Sequence, residues 1–162
     1  MPGFRKNVCV VVRNTRSGLL LMCHRNGFPR DSGWQFPQGG LHKGEDLISE
    51  MRRELREEIG TDNVKILARA PKKYTYFFPQ GKKHKHGDYS GQTQQWVLVE
   101  FSGDDGEINF NGKPAEFSEL RAFSIMQVKM DLHKHKTGKN GITISGSAME
   151  IRVSNPETPP SD

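Results

Sequence analysis

The sequence predicts a single-domain α/β or α+β sandwich, with a mixed β-sheet packed on one well-defined helix. Three observations predict it. Short β-branched and apolar runs recur on both sides of a central segment. That segment, residues 47–60 (LISEMRRELREEIG), contains no proline and keeps its one glycine for the end, where a C-cap belongs. The chain has 162 residues, the length of one domain with a core that needs no covalent staples.

In order along the chain, residues 7–12 (NVCVVV) form a β-branched strand. Turn residues at 13–18 (RNTRSG) lead to a second apolar run at 19–23 (LLLMC), so the pair is a hairpin. A Gly/Pro/Asp loop occupies 25–33. A short extended piece at 34–37 (WQFP) stops at Pro37 or lies at an edge. Gly39, Gly40 and Gly44 then make a glycine-rich turn. Glu45 and Asp46 follow, where acidic residues favour a helix start. After the helix, 64–70 (VKILARA), 72–79 (KKYTYFFP) and 94–101 (QQWVLVEF) are strands. Residues 80–91 are a basic polar loop, and 102–114 is a loop with a short piece at 107–110. One more strand is expected at 117–123, a short helix at 124–132 and an extended stretch at 141–153. A Pro/Ser/acidic tail closes the chain at 154–162, expected to be disordered. The domain is therefore placed at 1–132, with a basic and then Pro/Ser-rich tail over 133–162. No internal repeat is visible.

Hydrophobic residues make up 33% and charged residues 27%, with no apolar run long enough to span a bilayer. The first twelve residues are too short and too mixed for a secretory signal. The two cysteines, Cys9 and Cys23, suggest no disulfide framework. They are expected as buried small apolar residues in a reducing cytoplasm. The net charge of +5 suits either a polyanionic ligand or simple solubility, and charge alone does not separate the two.

The helix carries the chemical argument. With Glu50 set at 0° and about 100° per residue, Glu54 falls at about 40°, Glu57 at about −20° and Glu58 at about 80°. Ile48, Met51, Leu55 and Ile59 lie between about 100° and 180°, an apolar stripe that anchors the helix to a sheet. The acids are expected on the adjoining, outward face. So many neighbouring carboxylates repel one another, and Arg53 offsets only part of that. Hard oxygen donors suit Mg²⁺, or alternatively Mn²⁺. Such a cation turns a water into a usable nucleophile and neutralises phosphate charge. The competing reading is a solvated acidic face with i,i+4 pairs.

The wider spacing decides between them. Gly39, Glu45, Arg53, Glu54, Leu55, Glu57, Glu58 and Gly60 match the Nudix box: Gly, five residues, Glu, seven residues, then Arg-Glu-aliphatic-x-Glu-Glu-x-Gly. The seven fixed positions match a given site by chance on the order of 10⁻⁹. Thr61 stands where the pattern has an aliphatic residue. The chain thus resembles the Nudix hydrolases, which implies an α/β/α sandwich and metal-dependent hydrolysis of a phosphoanhydride. The resemblance assigns metal binding and catalysis to Glu54, Glu57 and Glu58, with the backbone carbonyl of Gly39 nearby. It makes Glu45 and Arg53 structural braces.

Within that family, WQFPQGG at 34–40, GQTQQW at 91–96, Arg5-Lys6-Asn7-Val8, Glu107-Ile108-Asn109 and Pro114-Ala115-Glu116-Phe117 are similar to the bacterial RNA pyrophosphohydrolases and dinucleoside polyphosphate hydrolases. This implies Glu116 as a further carboxylate that completes the metal site or acts as base. It makes Arg5, Arg25, Tyr76 and Gln92 the candidate substrate contacts, with Lys82 and Lys83 as further phosphate contacts. The implied partner is a nucleotide or the 5′ end of an RNA, bound by a monomer or a homodimer.

No match to the subgroup's long C-terminal helix or its Phe-Lys-Arg-type segment is recognisable in the sequence, so the second sandwich helix is expected to be short, displaced or atypical. In their place stands KMDLHKHKTGKN at 129–140. Its His133, Lys134, His135 and Lys136 are read as a solvated basic stretch. The readings carried forward are cleavage of 5′-triphosphorylated RNA or a dinucleoside polyphosphate, a nucleoside triphosphate pyrophosphatase, a Nudix-fold binding module without turnover, and a basic RNA-binding adaptor.

Overall fold

The structure is a computed structural model that describes residues 3–29, 33–78, 87–109 and 117–123. Two long strands form its spine. β1 (Phe4–Asn14) and β7 (Gly91–Phe101) run parallel in unbroken register, from Phe4 opposite Gly91 to Asn14 opposite Phe101. All other pairings are antiparallel, so the sheet is mixed, as the sequence predicts. β2 (Leu20–Arg25) returns along β1 as the expected hairpin, and β3 (Trp34–Gln35) pairs with β2. β4 (Gln38–Gly40) pairs with the first half of β1. β5 (Val64–Arg69) and β6 (Tyr74–Phe77) lie end to end along β7, and β8 (Phe117–Phe123) pairs with β2.

A parallel strand covered on both faces must be apolar on both, which is why 8–12 of β1 is a continuous run. Val8, Val10 and Val12 pack with Met51, Leu55 and Ile59 of the helix and with Val97, Val99 and Phe101. Cys9 and Val11 face the other way, onto Leu20, Met22 and Phe36. Both cysteines are buried and free, as expected.

α1 (Leu47–Ile59) starts at Asp46, whose carboxylate accepts from Ile48 N at 2.9 Å and Ser49 N at 3.1 Å. These bonds satisfy backbone donors that a helix start leaves open. The helix ends at Gly60, which adopts φ 79° and donates to Arg56 O at 3.2 Å. Only glycine takes that conformation cheaply, and a β-carbon there would sit 2.6 Å from the Asn109 amide. Gly60→Ala is expected to destabilise the fold by about 1–2 kcal/mol, from the left-handed backbone alone. A urea denaturation midpoint equal to that of the parent would refute this.

Several expectations need correction. The glycine-rich turn contains β4, because Gly39 and Gly40 ladder onto Val8 and Asn7. β1 and β7 each begin three residues earlier than expected, at Phe4 and Gly91, since each supplies the other's partner. A 3₁₀ turn at Asp105–Glu107 overlaps the start of the piece expected at 107–110. The helix expected at 124–132, the stretch at 141–153 and the boundary near 132 lie outside the described residues, as do Lys82, Lys83, Glu116 and His133 to Lys136. Among the described residues, no helix is long and apolar enough to cross a membrane.

Candidate active site

The wheel places the acids of α1 on one face, and the structure keeps them together, but not as an outward face. Glu50, Glu54 and Glu58 are buried, and only Glu57 reaches well into solvent. β4 lies across Glu54 and Glu58, while Glu50 is enclosed with Arg53 and His42. The Gln38 backbone N–H donates to Glu58 Oε2 at 2.9 Å. The Glu54 carboxylate rests on the Cα of Gly39, so closely that a β-carbon there would fall on the carboxylate itself. Gly39, Glu54 and Glu58 are therefore brought together.

Arg53 sits at the centre of the acids. Its guanidinium pairs with Glu50, with Glu54 Oε1 at 2.5 Å and with Glu57 Oε1 at 2.8 Å, and it reaches Gly40 O at 3.5 Å. This bears on the bracing role implied for Arg53. Burial opposes its charge, but hydrogen bonds to Glu50 and Glu57 win and raise its pKa. Glu54 shows the opposite balance. Burial pushes its carboxyl up, Arg53 pulls it down, and the Glu57 and Glu50 charges raise it again, leaving it above the usual carboxylate range.

Glu50 also has His42, with Nδ1 at 3.2 Å from Oε1. Burial raises its pKa, but hydrogen bonds from Arg53, Glu45 and His42 hold it down to about 2. Glu45 shares a hydrogen bond with Glu50, which raises the Glu45 pKa. The ligand atoms of His42, Glu45 and Glu50 lie within 4.8 Å of one another. Sequence reasoning gave no role to His42 or Glu50. The wheel had already placed Glu50 beside Glu54 and offered the only signal for it.

A second group of side chains lines the sheet on the face away from α1. Register aligns Arg5 with Gln92 and Gln92 with Tyr76. Gln92 Nε2 donates to the Tyr76 hydroxyl at 3.1 Å, and burial raises the Tyr76 pKa. Arg5 lies against β4: its Nη2 would be 2.5 Å from a β-carbon on Gly40. Three of the four expected substrate contacts thus form one row beside β4. Arg25 is not in that row. It ends β2, with its guanidinium 5.6 Å above the Phe28 ring.

Hidden between the two groups is a set of amides that sequence reasoning missed. Gln94 Nε2 donates to Asn7 Oδ1 at 3.1 Å and to Gln38 Oε1 at 2.6 Å. Asn7 and Gln94 are buried polar residues in strands, and that alternation was the available clue.

The donors around β4 are carboxylates and backbone carbonyls, the hard oxygens that a divalent cation takes. Gly39 leaves room for a carboxylate against the backbone, where any other residue would fill it.

A model described as the NUDIX domain matches residues 3–143. The chain is similar to Nudix hydrolase 26, chloroplastic, of Arabidopsis thaliana, with 40% identity over 127 residues; it spans 75% of this chain but 57% of that protein's length. It is also similar to an RNA pyrophosphohydrolase of Campylobacter jejuni, with 43% identity over 129 residues, covering 78% of this chain and 81% of that protein. Among solved structures, the E. coli dihydroneopterin triphosphate pyrophosphohydrolase superposes with a TM-score of 0.60 at 16% identity, covering 81% of this chain and 87% of that one. A C. elegans Ap4A hydrolase gives 0.58 at 17% identity, covering 78% and 84%. At those identities the likeness is one of fold, and it agrees with a Nudix-type α/β/α sandwich. The box on α1, the length of the match and the identity to these relatives agree: the chain belongs to the Nudix family of hydrolases.

Proposed function

We propose that the chain hydrolyses a phosphoanhydride bond at the 5′ end of a triphosphorylated RNA, releasing pyrophosphate, with a dinucleoside polyphosphate as the alternative substrate. One observation carries this reading. β4 presses its backbone onto Glu54 and Glu58 while Arg5 lies over Gly40, which supports a cation site next to a phosphate site. The relative named an RNA pyrophosphohydrolase supports the choice of RNA.

Glu54, Glu57, Glu58 and the Gly39 carbonyl would hold Mg²⁺, or Mn²⁺ in its place. The cation supplies phosphate charge neutralisation and a water nucleophile at neutral pH. The chain's own groups do the rest. Arg5 neutralises a phosphate oxygen and fixes its position. Tyr76 and Gln92, already bonded to each other, offer hydrogen bonds beside it. Arg53, paired with Glu54 and Glu57, holds both carboxylates in place. Arg25 and Glu116 keep their proposed roles, Arg25 as a more distant phosphate contact and Glu116 as an extra carboxylate or base. The catalytic domain is proposed to be 1–132.

The test is a substrate panel with Mg²⁺: 5′-triphosphorylated RNA, diadenosine tetraphosphate and nucleoside triphosphates. Pyrophosphate release from RNA, abolished by EDTA, is the expected outcome. Preference for free nucleoside triphosphates would remove the RNA assignment. Binding without release from any substrate would make the chain a nucleotide-binding module.

A further inference from the structure

The hydrogen bonds run in a line that crosses the sheet. Asn7 on β1 and Gln94 on β7 are register partners, both buried. Gln94 commits its side-chain amide to Asn7 Oδ1 and to Gln38 Oε1. Gln38 belongs to β4, a strand of three residues, all paired with β1. Its side chain is clamped on one face, while its backbone N–H reaches Glu58 toward α1. Val10 N to Pro37 O at 2.8 Å and Leu41 N to Lys6 O at 3.0 Å tie the flanks of β4 to β1. None of these backbone bonds fixes the rotation of Gln38 about its own side chain, and Gln94 does.

We propose that Gln94, backed by Asn7, is a positioning residue for the cation site: it clamps Gln38 and so holds the β4 backbone in register with Glu58 and Glu54. The proposal rests on the metal site described under the proposed function. Gln94 touches neither the cation nor the substrate and acts through Gln38. Partners one step removed from metal ligands commonly govern affinity by about 10–100-fold. The clamp also separates two functions. Loosening β4 disturbs Glu58 and the Gly39 carbonyl but leaves the bond between Gln92 and Tyr76 in place.

The experiment measures Mn²⁺ binding by electron paramagnetic resonance on the full chain, with circular dichroism confirming that each variant is folded. Glu58→Gln is the control for the site and should weaken Mn²⁺ binding. Gln94→Leu should raise the Mn²⁺ dissociation constant about tenfold. Gln38→Ala keeps the N–H to Glu58 but removes the clamp, so it should do the same, and it stands in if Gln94→Leu does not fold. The double variant should be no worse than either single one, because the link is already cut. In turnover, kcat should fall at limiting Mn²⁺ and recover at excess Mn²⁺. If Glu58→Gln weakens Mn²⁺ binding and neither clamp variant does, the clamp is overturned and the metal site stands. If the parent chain binds no Mn²⁺, or Glu58→Gln binds as the parent does, the metal site falls and the clamp falls with it.

Discussion

Glu57→Gln is expected to lower kcat by about 10³-fold while the protein stays folded. The rate loss follows from the metal-binding role proposed for this carboxylate: a cation worth about 4 kcal/mol to the transition state is worth about 10³ in rate. Retained folding follows from where Glu57 sits. Its side chain is 57% exposed and its partner is Arg53, at 2.8 Å. An ion pair that open to water contributes about 0–1 kcal/mol, and Gln keeps the shape. Glu54 and Glu58 make poorer first tests because they are buried, so a loss of activity there mixes chemistry with packing. Single-turnover kinetics with Mg²⁺, beside a thermal melt, read the two effects separately. Full activity in Glu57→Gln would remove this residue from the metal site.

Gly39→Ala is the second large effect, expected at about 10²-fold in kcat. The added methyl would fall on the Glu54 carboxylate. Either the carboxylate swings away or β4 lifts from α1, and both displace the oxygen donors. Overpacking of this kind costs about 1–3 kcal/mol of stability, so urea denaturation should show a loss as well. Gly106→Ala is the matched control, since a β-carbon there meets nothing within 4 Å. Equal kinetics for the two variants would mean that the close approach of backbone and carboxylate is not used.

These two residues show what was legible in the sequence and what was not. α1 could be read almost to the residue because its signals are local: Asp46 caps one end, Gly60 the other, and the apolar stripe repeats at helical spacing. Angles on the wheel are also local, so the grouping of Glu50, Glu54, Glu57 and Glu58 was recoverable. The burial of Glu54 and Glu58 was not, because it depends on β4, a strand that exists only through its ladder with β1. Glycine carries no strand propensity, and Gly39 and Gly40 looked like a turn until a partner supplied their hydrogen bonds. Likewise Gln92 could be marked from its neighbours in GQTQQW, whereas Gln94, two residues on, has its meaning in Asn7 and Gln38, far away in sequence. Arg25 was picked by its charge, and charge gives no strand position.

The parallel pairing of β1 with β7 has a kinetic consequence. Partners such as Asn7 and Gln94 are 87 residues apart, and the offset is constant along the ladder. Closing a loop of that length costs about 4 kcal/mol of chain entropy before any strand contact offsets it. Pairings so distant make folding slow relative to a helical protein of equal stability. α1 lies inside that loop, so its carboxylates can be helical early while Arg5 and Gln92 are still far apart. On a ribosome, a nascent chain that has not yet released Phe101 holds the acids of the box without the paired strands β1 and β7 behind them. The helix and the long β1–β7 pairing are therefore expected to come together late in assembly.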